Sequence, residues 1–237
     1  MTRSSTPRLP KPHTIQRLRR LLLSWYARAG RDLPWRRTRD PYQVLVSEMM
    51  LQQTQVSRVV EYYPRFLARF PSLGVLAEAR PRAVREAWEG LGYYARARNL
   101  HRLAKRVVRG PGATLPRDPG ELVKLPGVGR YTAGAVACFA YEQAVPAVDT
   151  NVARVIERLF RGPEARGAAG KRAVWEVATA LVPRDGKRAW RFNQAIMELG
   201  ALICTARKPR CGECPLSSAC HMGRRLCREA KRGRGRP

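Results

Sequence analysis

Acidic residues are scarce in this chain: 18 Asp and Glu stand against 46 Lys and Arg over 237 residues, a formal charge of +28. So lopsided a balance predicts a polyanionic partner and salt-sensitive binding to it, rather than a mere arginine bias. Long apolar runs are also missing. Leu21-Leu22-Leu23, the longest candidate near the start, is broken by Ser24 and Arg28, which predicts a soluble protein without a membrane span. Histidine is rare, and His13, His101 and His221 fit no ligand or catalytic pattern, so they read as surface or core fillers. There is no internal repeat, and no alternating strand pattern of useful length, which leaves an all-α fold. The length suffices for a real core, in one domain or two small ones.

The first acidic residue is Asp32, and the segment before it is rich in Arg, Ser and Thr, as in an organellar transit peptide. Ile15, Leu18, Leu22, Trp25 and Tyr26, however, have the spacing of a packed helix over residues 14 to 29, which favours a folded segment behind a disordered basic arm at 1–12. Helices are further expected over 42 to 60, from Pro81 to the Gly90-Leu91-Gly92 break, and over 95 to 108. Asp118-Pro119 reads as an N-cap and first-turn proline of a short helix. Beyond it come helices near 130 to 140, 150 to 160, 170 to 182 and 188 to 203, then a disordered basic tail at 222–237.

The most informative stretch is Leu125-Pro126-Gly127-Val128-Gly129-Arg130-Tyr131-Thr132-Ala133-Gly134, which joins two helical patterns. Two glycines around one apolar residue let the backbone turn tightly and offer bare N–H groups to a phosphate at the next helix N-terminus. This is a helix-hairpin-helix over 125–134, a device that grips a nucleic-acid backbone without reading bases. Asp149 follows in Ala147-Val148-Asp149-Thr150-Asn151-Val152, where a carboxylate can work on the strand the hairpin holds. Taken alone, that aspartate reads more simply as the N-cap of the helix it opens, and the two roles are compatible.

Four of the six cysteines are close together, Cys204, Cys211, Cys214 and Cys220, with the spacing Cys-x6-Cys-x2-Cys-x5-Cys. Thiolates so dense, in a chain without a signal peptide, read as metal ligands rather than disulfides. Zinc and a [4Fe–4S] cluster both accept four thiolates, so chemistry leaves the metal open. Cys138 reads as a buried small hydrophobe on an apolar helix, and Cys227 as an incidental thiol of the tail.

These residues resemble the iron–sulfur branch of the helix-hairpin-helix DNA glycosylase superfamily, which includes endonuclease III and the MutY-type adenine glycosylases. The resemblance covers residues 15 to 221. Three stretches look MutY-like: Leu33-Pro34-Trp35-Arg36, Ser47 to Val56, and Gly90 to Leu100. It implies a [4Fe–4S] cluster on the four cysteines. It also implies double-stranded DNA with a mismatched or damaged pair as partner, and release of adenine opposite guanine or 8-oxoguanine. The architecture implied is a six-helix barrel at 33–148 and a cluster domain from 13–32 and 149–221, with the active site in the cleft between them. The cluster would hold a basic loop with Arg207, Lys208 and Arg210 against the phosphate backbone and take no part in the chemistry. A monomer in the cytoplasm, at the nucleoid if bacterial, completes the expectation.

Roles follow by resemblance. Gln53 and Tyr93 would wedge the duplex where the base is extruded, with Leu51 and Gln52 beside them and Arg36 near the flipped base. Gly127, Val128, Gly129 and Arg130 would hold the backbone. Glu48, flanked by Val44, Leu45, Met49 and Leu51, would be kept protonated by its apolar setting and act as acid on the leaving adenine. Asp149, oriented by Asn151, would stabilise or trap the positive charge on the sugar. Tyr131 occupies the place where bifunctional relatives carry a lysine, and a phenol forms no Schiff base, so strand cleavage should be weak or absent. Without the family pattern, Gln53 and Gln52 would read as exposed helix residues and Tyr93 as a core tyrosine.

The chain runs only from His221 to Pro237 past the last cluster cysteine, so the Nudix-like domain that reads 8-oxoguanine in MutY-type enzymes is expected to be missing. Two other readings stand beside adenine release: a thymine or uracil glycosylase acting opposite guanine, and a noncatalytic DNA-binding module. The Gln52-Gln53-Thr54-Gln55 wedge and Glu48 favour adenine over the first. Glu48 and Asp149 together disfavour the second.

Overall fold

A computed structural model describes residues 9–160 and 167–224. Its helices are α1 (Pro12–Ala29), α2 (Pro41–Leu51), α3 (Val56–Arg69), α4 (Leu73–Glu78), α5 (Pro81–Ala87), α6 (Ala95–Val108), α7 (Pro119–Leu122), α8 (Arg130–Phe139), α9 (Thr150–Phe160), α10 (Gly167–Leu181) and α11 (Gly186–Leu202). No strand occurs among the described residues, and the fold is all-α as expected. Most of the expected basic arm and tail, with Cys227, lies outside the described residues, although His221–Arg224 form a helical turn. No described helix is long and apolar enough to cross a membrane.

The described residues form two compact units, one spanning Asp32–Gln143 and the other combining the chain up to Arg31 with the chain from Ala144 onward. In the first, α2 is the central helix and packs against α3, α6 and α8. Asp40 caps it by accepting from the Gln43 amide at 2.9 Å, and Pro41 sits in its first turn. Every residue from Val44 to Met50 is buried, including Ser47 and Glu48, as befits a helix surrounded by protein. Aromatic rings fill the space beside it: Trp35 meets Tyr63 edge-on at 5.6 Å, and Phe66 meets Trp88 edge-on at 5.7 Å.

The single helix expected over 42 to 60 is in fact two. It breaks after Leu51, and Gln53 takes a left-handed backbone conformation at φ 57° before α3 begins at Val56. Apolar periodicity runs through the break and hides it, because the cause is a distant arginine described below. The short α4 also escaped the sequence reading, since its six residues are too few for a periodic signal; Ser72 caps it from outside.

In the second unit, α1 packs against α10 and α11, and α9 does the same. Leu18 and Leu22 bury on the inner face of α1, and Arg19 donates to the Leu181 and Val182 carbonyls at 2.8 Å, closing the C-terminal end of α10. The basic N-terminal segment therefore belongs to the folded core. Arg31 grips Glu198 of α11 with two parallel bonds, 2.7 and 3.0 Å, and its own amide adds a third at 3.0 Å.

Candidate active site

The hairpin turn lies between α7 and α8. Gly127 has φ 77°, and a Cβ there would stand 2.7 Å from Asn99 Cβ, so both handedness and space demand glycine. Val128 buries and anchors the turn, whereas Gly129, at the N-cap of α8, has nothing within 4 Å of where a Cβ would be. No side chain caps α8, and Arg130 at its N-terminus is exposed. That is the arrangement of a backbone anion site at the end of a ten-residue helix.

Tyr131 is in the first turn of α8 and Glu48 in the third turn of α2, two helices that pack together. The phenol donates to Glu48 Oε2 at 2.5 Å, and Glu48 is only 3% exposed. Gln52, where α2 ends, reaches Thr132 Oγ1 at 3.3 Å, tying the same two elements once more. Arg36 closes the short 3-10 turn Pro34–Arg36 of this unit and is half-buried.

Tyr93 is no core residue: it is 63% exposed, and its backbone, like that of exposed Gln53, is left-handed, at φ 45°. Strained conformations at non-glycine residues persist only where the surroundings impose them. Here the surroundings are Arg96, whose role the sequence reading missed. Its buried guanidinium donates to the carbonyls of Met49 (3.1 Å), Met50 (2.7 Å), Leu91 (2.9 Å) and Gly92 (3.0 Å), and also to that of Gln52. It also lies 5.4 Å from the Trp88 ring and 5.6 Å from that of Tyr93. One side chain thus ends α2 and fixes the Gly90–Tyr93 loop. The signal available in the sequence was an arginine just after the Gly90-Leu91-Gly92 break.

In the other unit Asp149 opens α9 and caps it. Its Oδ1 accepts from the Val152 amide at 2.7 Å, as an N-cap, and its Oδ2 from Asn151 Nδ2 at 2.9 Å. Burial pushes its carboxyl above the ordinary aspartate range, and the bonds from Val152 and Asn151 and the charge of Arg154 oppose that rise. Asn151 accepts in turn from Arg154 at 2.6 Å, and Arg154 donates to the Gly200 and Cys204 carbonyls at 2.7 and 2.8 Å. Gly200 permits this closeness, because a Cβ there would lie 2.7 Å from Asn151 Cβ. A continuous chain of hydrogen bonds therefore runs from the Asp149 carboxylate to the backbone of the first cysteine.

Cys204, Cys211, Cys214 and Cys220 wall a single cavity with Arg158 and Ile203. Four thiols on one cavity are a donor set that either zinc or a polynuclear iron–sulfur cluster accepts. Burial, then the neighbouring thiols, push the Cys214 thiol up to about 11. A bound metal centre reverses that by holding them as thiolates. Arg158 donates to Cys204 Sγ at 3.3 Å and to the Thr205 and Ala206 carbonyls at 2.7 and 2.9 Å, and so steadies the loop that carries exposed Arg207 and Lys208.

Comparison with known proteins agrees with this geometry. Residues 46–178 match the HhH-GPD superfamily base excision DNA repair protein family, and residues 204–220 match the iron–sulfur binding domain of endonuclease III. Adenine DNA glycosylase of Mycolicibacterium smegmatis is 50% identical over 197 residues, covering 83% of this chain and 66% of that protein. The human adenine DNA glycosylase is 45% identical, covering 88% of this chain and 40% of that one. The chain thus spans two thirds or less of the length of these relatives. Among solved structures, a thermostable thymine-DNA glycosylase superposes with a TM-score of 0.83 at 32% identity, covering 90% of this chain and 98% of that one. An endonuclease III bound noncovalently to DNA gives 0.77 at 25% identity, covering 93% and 100%. The four cysteines hold a [4Fe–4S] cluster. The chain belongs to the HhH-GPD superfamily of base excision DNA repair proteins, in the branch that carries an iron–sulfur binding domain.

Proposed function

We propose that this protein, acting as a monomer on duplex DNA, hydrolyses the glycosidic bond of adenine mispaired with guanine or 8-oxoguanine and does not cut the strand. The observation that carries this reading is the Tyr131–Glu48 pair, a buried carboxyl hydrogen-bonded to a phenol where a strand-cleaving enzyme needs an amine. The hairpin amides and Arg130 hold a phosphate, and Gln53 and Tyr93 enter the space left when the base is extruded. Glu48 gives a proton to the leaving adenine, which departs poorly as an anion. Asp149, ionised and oriented by Asn151, meets the positive charge that grows on the sugar. The cluster supplies structure, keeping the loop of Arg207 and Lys208 folded. The relatives named adenine DNA glycosylase support this substrate.

A thymine or uracil glycosylase is the second reading, favoured by the thymine-DNA glycosylase whose fold this chain shares. Single-turnover base release from duplexes with A opposite 8-oxoguanine, A opposite G, T opposite G and U opposite G decides between them. Adenine release with breaks only after alkali is the expected result. Release of thymine or uracil alone would replace the substrate and keep the fold.

A further inference from the structure

A second basic feature of the Asp32–Gln143 unit lies outside the residues discussed so far. A cavity of about 280 Å³ opens between α5 and α6, walled by Val84, Arg85, Tyr94, Ala97, Arg98 and His101. Its charge is all of one sign. Arg82, at its rim, is held by Glu86 at 3.1 Å. Exposed Arg85 and Arg98 have no carboxylate partner among the described residues; Arg85 leans over the Tyr94 ring at 5.2 Å. On the inner wall, His101 is buried and its Nε2 has no hydrogen-bond partner. An unsatisfied buried nitrogen is a standing cost unless a ligand or a water held by one completes it.

We propose that this cavity is a phosphate site for the DNA strand that runs past Tyr93, with Arg85 and Arg98 sharing one phosphodiester and a water bridging it to His101 Nε2. Two guanidinium groups suit a phosphate, which accepts several bonds at once, better than a lone carboxylate. The location selects the strand. Tyr94, a wall residue, adjoins the exposed, strained Tyr93, and a duplex carries a charge about every 1.7 Å of its axis, so a backbone seated at Tyr93 brings phosphates to the cavity mouth. The site would thus fix the backbone beside the wedge, separately from the hairpin. It rests on the reading of Tyr93 as a residue that enters the duplex.

The test is the salt dependence of duplex binding, by fluorescence anisotropy, for the wild type, Arg85→Ala, Arg98→Ala, the double variant and an Arg172→Ala control on α10. Two arginines on one phosphate predict that the double variant lowers the logarithmic salt slope by about 0.9, so that the affinity lost over a fourfold rise in salt shrinks about three- to fourfold. Each single variant should reach most of that loss, and the control should show none. Unchanged slopes, or losses that simply add, would overturn the shared site. Melting of the DNA-free protein in inorganic phosphate against chloride at equal ionic strength separates the sources. Stabilisation of the wild type alone, with slopes unaffected, would assign the cavity to a free anion and overturn the strand assignment. Binding to a fully matched duplex needs no base release, so failure of the adenine reading and failure of this site give different results.

Discussion

The Arg96 guanidinium donates to the Met50 carbonyl at 2.7 Å, and through that and its other carbonyl bonds it couples the end of the Glu48 helix to the loop that presents Tyr93. Arg96→Ala would orphan several buried carbonyls and should cost about 3 kcal/mol or more in denaturant unfolding. Arg96→Lys keeps the charge but not the planar fork, so it should cost less in unfolding while slowing base release by about 10²-fold, as expected when positioned groups shift by an ångström. Equal losses in folding and rate for the lysine variant would mean that Arg96 supports only the fold.

Tyr131→Phe removes the 2.5 Å bond to Glu48 and leaves the ring in place. Single-turnover base release should fall about tenfold, with duplex affinity unchanged. Tyr131→Lys places an amine there, and borohydride should then trap a covalent protein–DNA adduct that the wild type does not give.

Asp149 sets an acid limit. Its carboxyl must be ionised to face the cationic sugar, and burial raises its native pKa, so base release should fall with pH while the pH is still above the ordinary aspartate range. The same shift carries a stability sign. The native state holds the proton more tightly than the unfolded chain, so the favourable contribution is complete below the unfolded pKa and is lost as pH rises through the folded one. Asp149→Asn should therefore abolish base release yet melt higher at neutral pH, with the gain vanishing in acid. Calorimetry across pH checks it.

Cys214→Ala opens the four-cysteine cavity. The purified variant should lose most of its iron, with a lower melting temperature in the unit that contains α9 and α11. Full iron content would remove Cys214 from the ligand set.

How much of this was legible in the sequence depended on whether the cause was local. The helix at 95–108 coincides with α6, and Asp118-Pro119 opened a helix as expected, because caps, prolines and periodicity act within a turn or two. Cys138 is fully buried on α8, as its apolar neighbours implied. The break at Gln52–Gln55 was illegible, since it is imposed by Arg96 from more than forty positions along the chain from α2, whereas the exposed Tyr93 agrees with the wedge that the resemblance implied. At the site, the motif residues could be named from the sequence. The bonds joining Tyr131 to Glu48, and Asp149 through Asn151 and Arg154 to Cys204, required the fold.

The proposed chemistry needs Glu48 as the acid on the leaving adenine and Asp149 as the carboxylate that meets the charge on the sugar. It is tested most directly by single-turnover adenine release from an A:8-oxoguanine duplex by wild type, Glu48→Gln and Asp149→Asn, with binding measured in parallel. Both variants should bind within a few-fold of the wild type and release adenine at least about 10²-fold more slowly. Near wild-type release by either variant would contradict this chemistry.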